Sequence, residues 1–108
     1  MTKLLQNKVA VISGANRGIG KSIAETYAES GANIIACMRS LNPETVAWMN
    51  KLENKFNISV KPVLVDLSDE QSVKKSIKEI MGISKKIDIL VNNAGIASGA
   101  LFQMTTLS

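Results

Sequence analysis

The feature that most constrains the fold is a glycine-rich turn between an apolar run and an amphipathic stretch. The run Val9–Ile12 is typical of a buried strand, and the residues from Ser13 to Gly20 read Ser-Gly-Ala-Asn-Arg-Gly-Ile-Gly. Glycine allows a tight turn, close approach of the backbone to a ligand and close packing of a helix on a strand. The free amides and the dipole of the next helix attract an anion. A glycine string also fits an ordinary loop, but this context predicts a cradle for a nucleotide diphosphate.

Strand-like and helix-like segments alternate along the rest of the chain. We predict strands over about 8–13, 33–38, 59–65 and 87–92, with a helix between each pair. Such alternation requires right-handed crossovers and a parallel sheet with helices on both faces. The sequence therefore predicts an α/β fold, a Rossmann-like doubly wound parallel sheet that is limited to its first four strands, in the order 3-2-1-4. Pro62 indicates that the third strand lies at an edge, because proline cannot donate to a ladder.

Local patterns predict where the helices begin and which side chains they bury. Asn42-Pro43-Glu44 supplies an N-cap, a proline at the first helical position and an acid in the first turn. Ser68-Asp69-Glu70-Gln71 has the spacing of a capping box. The apolar faces are predicted to be Ile19, Ile23, Ala24, Tyr27 and Ala28 in the first helix, Val46, Met49, Leu52 and Phe56 in the second, and Val73, Ile77, Ile80 and Met81 in the third.

Charge and composition limit the classes of function. The net charge of +4 comes from scattered lysines, several of them on a predicted solvent face, so we expect no nucleic-acid partner. No apolar run is long enough to span a bilayer, and we expect neither secretion nor membrane insertion. Cys37 is the only cysteine in a chain without histidine, which indicates a reducing, cytoplasmic compartment and no metal site.

Two cations lie where a parallel sheet binds its ligands, outside the carboxyl ends of the strands. Arg39 follows the second strand, where an NAD-binding protein would place an acid for the ribose 2′-hydroxyl, and Arg17 lies inside the glycine turn. Together they could flank a 2′-phosphate, which favours NADP(H) over NAD(H). The alternative is that Arg39 is a solvated loop residue.

The third and fourth strands also end in polar residues. Asp66 could accept a hydrogen bond from the exocyclic amine of adenine, or it could cap the turn before Ser68. The fourth strand ends in Asn92-Asn93-Ala94-Gly95, where an amide could tie strand ends together and the small residues leave room for a ribose or a flat ring. We interpret Cys37 as a buried strand residue rather than a nucleophile.

With these strand ends, the chain closely resembles the short-chain dehydrogenase/reductase family in its single-domain form. The resemblance rests on the Gly14 to Gly20 turn, on Asp66-Leu67 and on the motif from Asn92 to Gly95, in the family's order and separations. Ser13 stands where the family more often has threonine. By this resemblance, the cofactor-binding residues are Gly14, Asn16, Arg17, Gly18, Ile19 and Gly20 at the pyrophosphate side, Arg39 and Ser40 at the 2′-phosphate, Asp66 and Leu67 at adenine, and Asn93, Ala94 and Gly95 at the nicotinamide ribose.

The resemblance also implies residues that the 108 residues do not contain. Family members transfer a hydride with the help of a tyrosine and a lysine in a YxxxK arrangement, with a serine upstream. The only tyrosine, Tyr27, is not followed by this pattern, and we assign no catalytic residue. We expect residues 1–108 to be the dinucleotide-binding part of one Rossmann-fold domain, without its catalytic and substrate-binding remainder. By the resemblance, that remainder would also carry the contacts through which the family forms a homo-oligomer, a tetramer or dimer.

The resemblance implies an NADP(H)-dependent oxidoreductase that reduces a carbonyl, either a 3-oxoacyl thioester or a similar ketone, to an alcohol. The 3-oxoacyl-(acyl-carrier-protein) reductases are the branch that the glycine turn resembles, and the partner is a small-molecule carbonyl or alcohol. The alternative is a non-catalytic module that binds a nucleotide or a partner, with the 108 residues as the whole product. The absent tyrosine and lysine favour this alternative, and the open edge of the fourth strand argues against it.

Overall fold

A four-stranded parallel sheet organises residues 3–93, the part of the chain that the computed structural model describes. The strands have the spatial order β3-β2-β1-β4, which confirms the predicted α/β fold and its strand order. No helix in the described part is long and apolar enough to cross a membrane. The elements in chain order are β1 (Val9–Ser13), α1 (Gly18–Glu29), β2 (Asn33–Met38), α2 (Pro43–Phe56), β3 (Val60–Leu64), α3 (Glu70–Ile83) and β4 (Ile89–Val91).

The sheet has one apolar core on each face. Side chains alternate along a strand, so Ala10 and Ile12 of β1 face one layer while Val11 faces the other. The first core includes Ala24 and Ala28 of α1 together with residues of α2. The second core includes residues of β2, β3 and α3. Helices therefore cover both faces, as the sequence predicts, and β3 with Pro62 lies at an edge.

The observed helix ends confirm two of the predicted capping residues and show that a third prediction is wrong. The side chain of Asn42 caps α2 by accepting from Thr45 N at 2.8 Å. The predicted stop of α1 at Gly31 is also present, because this residue follows the C-cap with a φ of +95°. The capping box at Ser68 is wrong. Asp69 is the N-cap of α3, and its carboxylate accepts from Gln71 N at 3.0 Å.

Three predicted core positions are exposed, one in each helix. The exposed fractions are 70% for Ile19, 37% for Val46 and 42% for Met81. Besides apolar residues such as Met49 and Ile80, α2 and α3 bury the small polar residues Thr45 and Ser76. A short side chain lets a helix backbone approach the sheet closely, and the hydroxyl of Ser76 needs no external partner because it donates to Val73 O at 2.7 Å. The other ten predicted positions are buried or half-buried, so apolar spacing identifies the buried stripe correctly except at these three residues.

A reciprocal contact joins β1 to the segment before β4, at the amino ends of the strands. Val9 N donates to Asp88 Oδ2 at 2.9 Å, and Asp88 N donates to Val9 O at 2.9 Å. The other carboxylate oxygen forms an ion pair with Lys86 Nζ at 3.5 Å. The bond from Val9 N, assisted by Lys86, lowers the pKa of Asp88 below its ordinary value. The ionised carboxylate therefore stabilises the folded chain.

We predict that Asp88→Asn lowers the stability of the protein at pH 7 but not in acid. Asparagine keeps an oxygen for Val9 N and loses the charge. Because the folded pKa is lowered, the charge stabilises the fold above the unfolded pKa of about 3.9, and this contribution is lost as the pH falls through the folded pKa. Urea denaturation from pH 7 to pH 3 measures the effect. A difference between the two proteins that does not change with pH would contradict this account.

Candidate nucleotide-binding site

The glycine turn after β1 has a backbone that requires its glycines. Gly14 and Gly18 have φ angles of +63° and +58°, a region that disfavours side chains with a Cβ. A Cβ on Gly20 would collide with the carbonyl oxygen of Gly14 and would lie 2.8 Å from Asn93 Nδ2. The first turn of α1 therefore packs directly against the end of β1. This open, side-chain-free surface fits the close approach of a pyrophosphate.

The first turn of α1 leaves its amides available to a ligand. The helix begins at Gly18, and the N-cap residue, Arg17, is extended and makes no side-chain capping bond. The backbone carbonyl of Arg17 accepts the helical bond from Lys21 N at 3.2 Å. The first turn contains no acid that would neutralise the positive end of the dipole. The helix therefore presents free donors and positive potential next to the glycine turn.

Ser13 ties the glycine turn to the end of β4. Its side chain is fully buried, and its hydroxyl accepts from Asn93 N at 2.7 Å. The same oxygen lies 3.4 Å from Val91 O and from Asn92 Oδ1. The amide of Asn92 thus ties neighbouring strand ends, as predicted, by accepting from the Ser13 hydroxyl at 3.4 Å, and the shorter bond joins that hydroxyl to the backbone N–H of Asn93. A hydroxyl at the last position of a buried strand is the signal that identifies such a residue.

A cleft of about 420 Å³ lies at the carboxyl ends of β1, β2 and β3. Its size lies in the usual range for small-molecule sites. Seven of the predicted site residues line it: Gly14, Asn16, Arg17, Arg39, Ser40, Asp66 and Leu67. The remaining lining residues are Ser13, Cys37, Met38, Val65 and Ser68. The fold thus assembles residues from three distant parts of the sequence into one site.

The other predicted site residues lie elsewhere or outside the described part of the chain. Gly18 and Ile19 line a separate groove along α1, and Gly20 is covered by Gly14 and the amide of Asn93. Asn93 is exposed, and its backbone N–H is held by the hydroxyl described above. The predictions for Ala94 and Gly95 fall outside the described residues.

Asp66 and Arg39 form an ion pair in the cleft, with 3.8 Å between Oδ2 and Nη2. Asp66 Oδ1 accepts from the hydroxyl of Ser68 at 2.6 Å and from its backbone N–H at 3.0 Å. These two bonds, with a smaller contribution from Arg39, lower the pKa of Asp66 below its ordinary value. The turn-capping interpretation of Asp66 is therefore correct, and it leaves Oδ2 facing the cleft as a second acceptor.

Cys37 forms part of the cleft wall without being reactive. Its side chain is 1% exposed, and burial, with a smaller effect of Glu79, raises the pKa of the thiol to about 12. A thiol that stays protonated at neutral pH is a poor nucleophile. This confirms Cys37 as a buried strand residue.

The sequence profile of the short chain dehydrogenase family matches residues 8–108, which include the glycine turn and every strand described above. The chain belongs to this family. Among curated proteins, it is 38% identical over 103 residues to the 3-oxoacyl-(acyl-carrier-protein) reductase FabG of Aquifex aeolicus, covering 95% of this chain and 41% of that protein. It is 43% identical over 91 residues to the 2-dehydro-3-deoxy-D-gluconate 5-dehydrogenase of Pseudoalteromonas atlantica, covering 84% of this chain and 35% of that protein.

Solved structures of short-chain dehydrogenases share the fold. The L-sorbose reductase of Gluconobacter frateurii, solved with NADPH and L-sorbose, matches with a TM-score of 0.77 and 35% identity, covering 88% of this chain and 36% of that one. The chain spans 41% of the Aquifex reductase and smaller shares of the other two proteins. The relatives named here are oxidoreductases.

We predict that Ser13→Ala destabilises the protein by about 1 kcal/mol or more, because it leaves the N–H of Asn93 without its acceptor. Ser13→Thr is the matched control, since it keeps the hydroxyl at the same position. Urea denaturation of the two variants and the unmutated protein measures the difference. Equal stability of the alanine and threonine variants would show that the hydroxyl does not hold the strand ends together.

Proposed function

We propose that this chain is the cofactor-binding part of an NADP(H)-dependent oxidoreductase that reduces a carbonyl to an alcohol. The observation that carries this proposal is the position of Arg17 and Arg39 on a single cleft at the strand ends. Both are cations, and β2 is followed by Arg39 rather than by the acid that NAD-binding folds use for the 2′-hydroxyl. Guanidinium groups bind phosphate by charge-assisted hydrogen bonds. The NADPH bound to the similar L-sorbose reductase supports the same preference.

In this proposal, the residues after each strand bind a different part of the cofactor. The glycine turn and the first turn of α1 hold the pyrophosphate, and Arg39 with Ser40 binds the 2′-phosphate. Asp66 and Leu67 contact adenine, while the motif after β4 contacts the nicotinamide ribose. When bound, the nicotinamide supplies or accepts the hydride, and the residues of this chain bind and orient it. The pyrophosphate residues are Gly14, Asn16, Arg17, Gly18, Ile19 and Gly20, and the ribose residues are Asn93, Ala94 and Gly95.

The substrate is proposed to be a 3-oxoacyl thioester or a similar ketone. The similarity to the Aquifex 3-oxoacyl-(acyl-carrier-protein) reductase supports the thioester, and the similarity to the gluconate-derivative dehydrogenase supports another small carbonyl compound.

The protein is proposed to act in the cytoplasm as a homo-oligomer, a tetramer or dimer. Its proton donor, a tyrosine with a lysine in YxxxK spacing, is not among the 108 residues. Residues 1–108 are proposed to be one part of a single Rossmann-fold domain, which the 41% share of the Aquifex reductase that they span supports.

The cofactor preference is tested by replacing the arginine after β2. We predict that Arg39→Gln weakens NADPH binding by about 10- to 100-fold and leaves NADH binding nearly unchanged, because only the phosphate loses a charged partner. Lys51→Gln on α2 is the matched control, since it removes one exposed positive charge from a residue that does not line the cleft. Titration by calorimetry measures both cofactors. Tighter binding of NADH than of NADPH by the unmutated protein would refute the preference.

The substrate class is tested by steady-state assays of the complete protein with NADPH. We predict oxidation of NADPH in the presence of acetoacetyl thioester, with a proton supplied by the protein. Turnover of another ketone without turnover of the thioester would reject the acyl branch and keep the oxidoreductase. Cofactor binding without turnover of any carbonyl or alcohol would favour the alternative, a non-catalytic nucleotide- or partner-binding module.

A further inference from the structure

Hydrogen bonds fix the carboxylate of Asp66 at the edge of the cleft. Oδ1 accepts from Ser68 N at 3.0 Å and from Ser68 Oγ at 2.6 Å, while Asp66 N donates to Ser72 Oγ at 2.9 Å. The bonds to Oδ1 also keep the carboxyl ionised at neutral pH, since they lower its pKa. The second oxygen, Oδ2, therefore holds a negative charge at a defined position in the cleft.

Arg39 is held much more loosely than its partner. Its side chain is 82% exposed, against 39% for Asp66, and the 3.8 Å between Nη2 and Oδ2 exceeds the length of a hydrogen bond. Exposed ion pairs of this kind contribute little to stability, so Asp66 does little to order the guanidinium. The charge of Asp66 nevertheless acts on any anion that Arg39 binds.

We propose that Asp66 is a specificity-determining residue that competes with a 2′-phosphate for Arg39 and thereby limits the preference of the cleft for NADP(H). The inference rests on the proposed function, in which Arg39 binds that phosphate. The guanidinium has five N–H donors and can face both groups. A doubly charged phosphate on the same guanidinium would lie about 5 to 8 Å from Oδ2, within a Debye length of about 8 Å, and salt would screen the repulsion only in part.

Two effects of the carboxylate oppose each other, and their sizes decide the sign. Ordering of Arg39 by Asp66 would help a phosphate to bind, but the exposed, 3.8 Å contact makes this effect small. Repulsion between the fixed carboxylate and the phosphate acts over the about 5 to 8 Å that separate them, and the phosphate carries two charges. Repulsion is therefore the larger effect, and loss of the charge on Asp66 strengthens binding of a 2′-phosphate.

The test compares adenosine 2′,5′-bisphosphate with 5′-AMP as ligands of the complete protein, by calorimetry at pH 8 and low salt. The measured quantity is the ratio of their two affinities, which isolates the 2′-phosphate. Asp66→Asn keeps an oxygen that accepts from Ser68 and from adenine, and we predict a three- to tenfold rise in this ratio. Asp69→Asn is the control, because it removes the same charge outside the cleft and asparagine caps α3 equally well. We predict no change for it.

The other possible results would contradict either the role of Asp66 or the proposed preference for NADP(H). A lower ratio for Asp66→Asn would show that the carboxylate positions Arg39 instead of competing for it. Equal changes for Asp66→Asn and Asp69→Asn would show an effect of net charge alone. If the unmutated protein binds the two ligands equally and Arg39→Gln changes neither affinity, the NADP(H) proposal itself has failed. A preference for the bisphosphate that Arg39→Gln removes and Asp66→Asn does not raise refutes only the role of Asp66.

Discussion

The close packing of α1 on the end of β1 is the constraint on which the site depends. A Cβ on Gly20 would occupy the place of the Gly14 carbonyl, so the helix can begin where it does only because this position has no side chain. The backbone of Gly14 and Gly18 turns through a region that side chains disfavour. This packing aims the first amides of α1 at the carboxyl ends of the strands. The neighbouring strands then supply the side chains that surround those amides.

The contacts around this turn come from residues that are distant in sequence. Ser13 lies on β1, and its hydroxyl accepts a hydrogen bond from the backbone N–H of Asn93, which follows β4. Arg39 and Asp66 follow β2 and β3, and parallel pairing brings them to 3.8 Å. A parallel sheet places all its carboxyl ends on one side, which explains why four short segments form one polar surface. The charge of that surface is mixed, since a fixed carboxylate lies beside a loosely held guanidinium.

Much of the fold can be predicted from local signals, and the errors in the predicted helix faces share one physical cause. The strands, the strand order and the cap at Asn42 follow from apolar runs, alternation and turn chemistry. Ten of the thirteen helix positions predicted to be apolar and inward-facing are buried or half-buried, whereas Ile19, Val46 and Met81 are exposed. Apolar spacing identifies a stripe on a helix, but the height and rotation at which the helix meets the sheet select the residues that are buried. Thr45 and Ser76 are buried in this way, while Val46 and Met81 are exposed.

The sequence by itself determined the α/β class, the strand order, the family and the position of the glycine turn. The class and the glycine turn depend on local periodicity and on backbone conformations that few residue types adopt, and both can be read from consecutive residues. The strand order follows from the doubly wound fold that this alternation predicts. Only the tertiary structure decided which hydroxyl joins β1 to β4, that Asp66 uses one oxygen for Ser68 and presents the other to Arg39, and that seven predicted residues share one cleft. Those features are contacts between residues that are far apart in the chain, and they form only when the sheet brings the strand ends together.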